Sequence, residues 1–341
     1  MDLYQRRNRC SFADCCNCGY LFVIMQMHSL GTGHFLLHVK NGETGDTMIN
    51  EIMKKLDFPA EAIDCFNACL DKVNQNSMAT SILKTAEDTM FKSEDNLAYY
   101  PYIEQVAEII GENKHTVNML FWLMCTIPLK DVYRENNLSD EMYYDTVSDL
   151  KFKLDECKKM HDVWGTHVTW FAPFFKLKRF AFGRLQYDVF AWDKGEYHGM
   201  KDGDLCFRMH VPSGSPLTVD AAYDSFRKLY NHYKDELKDG ILPIILRTWF
   251  MYQPIMELLK DGSNLKKFCD LFDIVSSEEI GNKYGYMNFV FDMNYESEET
   301  LKNLPEDTSL RRSLKKYLLD GNYFGVGSGI ILFDGEKIIN K

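Results

Sequence analysis

Apolar residues recur every three to four positions from Met48 to about Met160, and only beyond that point does alternation at every second position set in. The first pattern predicts helices: MINEIMKKLDF from Met48, a run with Ile63, Phe66, Leu70 and Val73 after Pro59, and further runs at Ile82 to Phe91, Tyr102 to Ile110 and Thr116 to Met124. The polar stretches SEDN and GENK separate them, and Pro128 is expected to end one. Ser139 is expected to cap a long helix whose stripe carries Met142, Val147, Leu150, Leu154, Cys157 and Met160. This is a bundle or array of about five to six helices.

Thr166 to Trp192 is rich in β-branched and aromatic residues, with alternation at Phe180, Phe182 and Arg184. Leu205 to Val211 then reads as a short apolar strand, HVPSGSPLT as a turn, and the residues to Tyr233 as an amphipathic helix. Ile241 to Phe250 reads as a buried strand, Pro254 to Leu259 as a short helix and Tyr286 to Phe291 as a strand. Glu298 to Leu319 is helical, and Tyr323 to Phe333 is a glycine-rich strand folding back through Asp334-Gly335. The fold class is α+β: an all-helical domain over 48–162, then a mixed α/β domain over 163–341.

Residues 1–47 break the pattern. Arg6, Arg7 and Arg9 precede the apolar run Tyr20 to Met27, but Gln26 and His28 interrupt it and no small-residue cleavage site follows. The run is too short to span a bilayer, so this segment reads as a poorly ordered extension ahead of Met48. The net charge of -11 argues against nucleic-acid partners and against an anionic membrane surface. Of ten cysteines, Cys10, Cys15, Cys16 and Cys18 crowd the extension with no CxxC pair or zinc spacing, so no metal is expected. The others lie in apolar stretches, as buried thiols of a reducing, cytoplasmic compartment do, and none stands out as a nucleophile.

Two segments carry candidate chemistry. HVPSGSPLT brings small residues and backbone N–H groups to a helix start, where an anion finds donors and a favourable dipole. Local chemistry favours an ordinary connection capped by Thr218, or by Ser215 with Pro216 at the first helical position, because Asp220 in the first turn already complements the dipole and would repel a phosphate. The terminal GVGSG, Gly325 to Gly329, is phosphate-loop-like, but no helix follows; it reads as a strand closely approached by another backbone, with nucleotide binding as the alternative.

Several pieces in order carry a resemblance: Gly183-Arg184-Leu185-Gln186-Tyr187, then His210-Val211-Pro212-Ser213-Gly214-Ser215-Pro216-Leu217-Thr218 with Ser225 in the helix, then Trp249, Pro254 to Leu259, Ser263-Asn264, Phe268, and Gly325, Gly327 and Gly329. The chain resembles the two-domain bacterial acyltransferases that join an N-acyltransferase N-terminal helical domain to a GNAT-like C-terminal domain. It departs from them at Leu246-Arg247-Thr248-Trp249-Phe250, where Cys-x-Ser-Trp-Leu-Leu is usual, and at Asp188, where glutamate is usual.

The resemblance implies an acyl-CoA-dependent N-acyltransferase acting on a small amine or peptide, with acyl-CoA as co-substrate. Val211, Ser213, Gly214, Ser215 and Thr218 then form the coenzyme loop, although the usual Gln/Arg-x-x-Gly-x-Gly/Ala spacing is absent. His210 becomes a candidate base, Asp188 and Tyr187 further catalytic groups, and Arg184 a contact to a substrate carboxylate or phosphate. A GNAT-like module that binds without catalysis is the competing class.

Overall fold

The computed structural model describes residues 45–341; the expectations for the extension and its cysteines lie outside them. Helices α1 (Gly45–Lys55), α2 (Ala60–Asn74), α3 (Ser77–Lys92), α4 (Tyr100–Ile110) and α5 (Lys114–Glu135) follow in order. Their ends obey local chemistry. Asn76 caps α3 by accepting from the amides of Met78 and Ala79, and Gly111 closes α4 in the left-handed region at φ 63°.

α5 is the axis of the bundle, buried on every side from Thr116 to Cys125 except at Met124. It runs straight through Pro128, which the sequence pattern had ending a helix. A proline inside a helix costs about 3 kcal/mol, which the burial of thirteen α5 residues outweighs. The long helix expected from Ser139 divides at Ser148 into α6 (Asp140–Val147) and α7 (Asp149–His161). The break lets α6 cover a sheet edge: the Thr146 hydroxyl accepts from the Ala181 amide at 3.0 Å and the Asp145 carboxylate from the Gly183 amide at 2.6 Å.

The segment after α7 is stitched to α5. The Thr166 amide donates to the His115 carbonyl, the Thr116 hydroxyl to the Trp164 carbonyl, and the buried Asn118 amide to the carbonyls of Thr166 and Val168. Gly165 is obligatory: a Cβ there would lie 2.4 Å from the His115 carbonyl carbon.

A short helix α8 (Ala172–Phe175) leads into a six-stranded sheet in the order β1-β2-β3-β4-β6-β5. The strands are β1 (Arg179–Phe182), β2 (Leu185–Ala191), β3 (Leu205–His210), β4 (Leu242–Thr248), β5 (Asp273–Glu279) and β6 (Gly325–Phe333). All neighbours are antiparallel except β3 and β4, which run parallel and are joined by helix α9 (Val219–Tyr233). Asp334 accepts from the amides of Glu336 and Lys337, so the chain turns back after β6 as expected.

Tyr286 to Phe291, expected as a strand, is instead the short helix α12 (Met287–Phe291), which follows α10 (Gln253–Met256) and α11 (Asn264–Cys269). Met287, Val290 and Phe291 fall at helical spacing and pack with Ile255, Leu314 and Phe324. The helices α13 (Glu298–Lys302) and α14 (Ser309–Leu319) complete that layer.

β6 is buried along its whole length between β4 and β5. A Cβ at Gly327 would stand 1.8 Å from the Met251 carbonyl oxygen, so the terminal glycines serve close backbone approach. Gly327→Ala is expected to destabilise the fold by about 3 kcal/mol or more, read as a lowered urea midpoint. A wild-type midpoint would show that the contact is not limiting.

Candidate active site

The parallel pair at the centre of the sheet is barely a pair. β3 and β4 share only the register positions Phe207↔Ile244 and Arg208↔Ile245. Beyond them Met209 and His210 pair with β2, while Leu246, Arg247 and Thr248 pair with β6. The ladder therefore stops halfway, and the C-terminal ends of the two strands part. An extended ligand with its own amides can use the backbone groups that the missing ladder leaves.

The loop Val211–Thr218 lies at the mouth of this gap, between β3 and α9. Thr218 caps α9, its hydroxyl accepting from the Ala221 amide at 3.2 Å. Ser213, Gly214, Ser215 and Pro216 are exposed. Among the described residues, the amides of Ser213, Gly214, Ser215, Leu217, Val219 and Asp220 donate to no protein acceptor. Free amides at the N-terminus of a fifteen-residue helix suit an anionic group. Asp220, exposed in the first turn, opposes it.

Arg184 sits in the β1–β2 turn with its Nε donating to the Ser215 carbonyl at 2.8 Å. Sequence reasoning had it touching a substrate; here the contact that the structure places is to the loop itself. Val211, half-buried, joins the loop to His210.

At the end of β3, His210 Nε2 lies 2.9 Å from Asp188 Oδ2 on β2. Across the β1–β2 register Arg179 stands directly opposite Asp188 and grips it with two bonds, Nε to Oδ1 at 2.5 Å and a guanidinium NH2 to Oδ2 at 3.0 Å. Burial alone would raise the Asp188 carboxyl, but His210 and Arg179 outweigh it and hold the group well below the usual carboxylate range. Burial lowers the His210 pKa from its ordinary 6.5; the bond to Asp188 works against this, and the charges of Arg179 and Arg208 add to it.

Near neutral pH the pair is accordingly an ionised aspartate and a neutral imidazole. An ionised carboxylate only accepts, so the hydrogen-bond network assigns the imidazole proton to Nε2 and leaves the Nδ1 lone pair for another proton. The His210 side chain is 32% exposed, against 18% for Asp188, so the imidazole is the member of the pair that solvent reaches more.

Tyr187 is not brought to this pair. Adjacent to Asp188 on a strand, it points to the other face, where its hydroxyl and that of Ser225 on α9 lie 2.9 Å apart in the core. Burial pushes its pKa far up. The thiol of Cys206 in β3 is likewise pushed up to about 12 by burial, against nucleophilic use. Arg179 was missed, although its place opposite Asp188 follows from the hairpin register. Among the described residues no cluster of three or more His, Cys, Asp or Glu side chains could hold a metal ion.

A cavity of about 200 Å³ borders the loop, lined by Ser213, by Glu156 and Met160 of α7, by His167 and Trp170, and by Phe289 of α12. Trp170 and Phe289 are among the few large apolar side chains of the described residues that are exposed.

A parallel pair that parts beside a strand–loop–helix with free amides defines a GNAT-like domain. Sequence comparison agrees: residues 47–177 match the N-acyltransferase N-terminal domain and residues 179–331 the GNAT-like C-terminal domain. The chain belongs to the family that joins these two domains.

No curated protein matches the sequence. Solved structures do match the fold. An acyltransferase in complex with decanoyl-CoA and teicoplanin superposes with a TM-score of 0.70 at 17% identity, covering 91% of this chain and 94% of its own. An acyltransferase in complex with decanoyl-CoA gives 0.69 at 18%, covering 86% and 90%. A mutant acyltransferase in complex with octanoyl-CoA gives 0.69 at 17%, covering 93% and 95%.

Two variants separate the roles on β2. Tyr187→Phe is expected to cost about 1–2 kcal/mol of stability by leaving the Ser225 hydroxyl unpaired, with kcat unchanged. Because Asp188 raises the His210 pKa, Asp188→Asn is expected to move the acidic limb of the pH–rate profile lower while reducing kcat by about 100-fold or more through loss of the productive tautomer. A profile that shifts upward or stays put excludes this pairing.

Proposed function

We propose that the protein is an acyl-CoA-dependent N-acyltransferase. The observation that carries the reading is the parting of β3 and β4 next to six unpaired amides. In this reading the amides of Ser213, Gly214 and Ser215, with the first turn of α9, receive the coenzyme's diphosphate, and the gap between the strands admits its amide-bearing arm. The fit is chemical: a doubly charged diphosphate meets donors and a helix dipole, and an arm with two amides meets an interrupted ladder.

His210 acts as the base. Its Nδ1 takes the proton that the acceptor amine loses as the new C–N bond forms and the thioester C–S bond breaks; the departing sulfur is protonated in turn and leaves as the thiol. Asp188 holds the imidazole tautomer and orientation and steadies the imidazolium that forms, while Arg179 keeps Asp188 ionised. An imidazole already neutral at working pH needs no prior deprotonation. The acceptor, a small amine or peptide, enters through the cavity beside Ser213, where Trp170 and Phe289 offer apolar faces. Acyl-CoA bound in three similar folds, and teicoplanin bound beside it in one, support both halves of the reading. A cytoplasmic setting goes with it, supported by the six free cysteines of the described residues.

Calorimetric titration with acyl-CoAs of several chain lengths tests the donor, and absence of binding at every length sinks the proposal. His210→Ala is expected to keep donor affinity and lose about 100-fold or more in kcat. Turnover retained in that variant would remove His210 as the base, whereas donor binding with no turnover in the wild-type protein would leave a binding module as the better description.

A further inference from the structure

The loop over the gap does not hold its own shape. Between His210 and Thr218 its one backbone–backbone hydrogen bond is from the Thr218 amide to the Pro216 carbonyl. Its conformation is fixed from outside by three contacts, two of them from the helical half. Gly214 has φ 126°, and a Cβ there would stand 2.7 Å from the Phe152 ring, so the ring fills the space beneath the turn. The Ser213 hydroxyl donates to the Glu156 carboxylate. The Arg184 guanidinium holds the Ser215 carbonyl.

Phe152 and Glu156 are four residues apart, hence neighbours on one face of α7. A carboxylate beside an anion site would normally repel the anion. Here Lys153 bonds both Glu156 oxygens at 2.7 and 2.9 Å, and the pair presents no net charge.

We infer that this face of α7, with Arg184, is the positioning device for the coenzyme loop: the helical half supplies from outside the support that the loop's own sequence lacks. The inference rests on the acyl-CoA reading above. It gives the helical half a role in donor binding: Phe152 keeps the turn at Gly214 raised, Glu156 and Arg184 anchor its two sides, and the amides between them stay unpaired. None of the three is a catalytic residue.

Calorimetry with coenzyme A, and kinetics with an acyl-CoA and the matching acyl-pantetheine that lacks the diphosphate, test it. Wild-type protein that binds no coenzyme A removes the functional reading, and the inference with it. Given binding, Phe152→Ala is expected to weaken coenzyme A and raise KM for acyl-CoA by about tenfold, equivalent to ~1.4 kcal/mol, at unchanged kcat. KM for acyl-pantetheine should not move, and Phe152→Leu should restore most of the loss.

Ser213→Ala keeps the test alive if Phe152→Ala does not fold, as does Glu156→Leu made together with Lys153→Met so that no unpaired cation is left beside the site. Each should weaken coenzyme A by about threefold, and the two changes combined no more than either alone, as expected of one shared interaction. Equal losses for both donors, a fall confined to kcat, additive effects of the two changes, or wild-type affinity throughout would each overturn the inference.

Discussion

β3 and β4 run side by side and yet share almost no ladder. A parallel pair joined by a helix normally buries its backbone groups in continuous hydrogen bonding. Here two register positions connect the sheet's two halves, β1-β2-β3 and β4-β6-β5. Each half must therefore be held by something else. β4 is locked by seven register positions to β6, whose glycines permit close approach, and β3 by six to β2. α6 covers the outer edge at β1, and α9 bridges the gap through Ser225 and Phe226, which pack in the core.

The charged groups follow from the same arrangement. Because the ladder stops at Arg208, two residues short of the end of β3, His210 sits at the edge of the core with Asp188 beside it on the neighbouring strand. An aspartate this enclosed is costly unless paired, and the opposing Arg179 supplies the pairing. Desolvation wins at the imidazole and ion pairing wins at the carboxylate, and those opposite outcomes keep one group neutral and the other charged at the same pH.

The sequence exposed these elements unequally. The strand, turn and helix around His210 were legible because local chemistry specifies them: an apolar run, small turn residues, Thr218 as a cap. β5 was not, because an edge strand reading DIVSSEE shows water most of its side chains and lacks an alternating apolar face. Pro128 misled because propensity yields to burial on all sides. The orientation of Tyr187 was available, since it shares parity with Leu185 and Val189 while Asp188 shares it with Gln186. Phe152 and Glu156 lie off the apolar stripe of their helix, so periodicity offered no reason to single them out; their contact with the loop joins positions far apart in sequence.

The stitching of residues 164–168 to α5 reaches beyond architecture. Many enzymes that work in a cleft between two halves close it by bending a slack connection. Here the connection offers two carbonyls to the buried Asn118 of α5 and sets a glycine against the α5 backbone, so it has no slack to bend. The tie is thus a spacer of fixed length, set once when the chain folds, and it fixes where the chain enters the sheet.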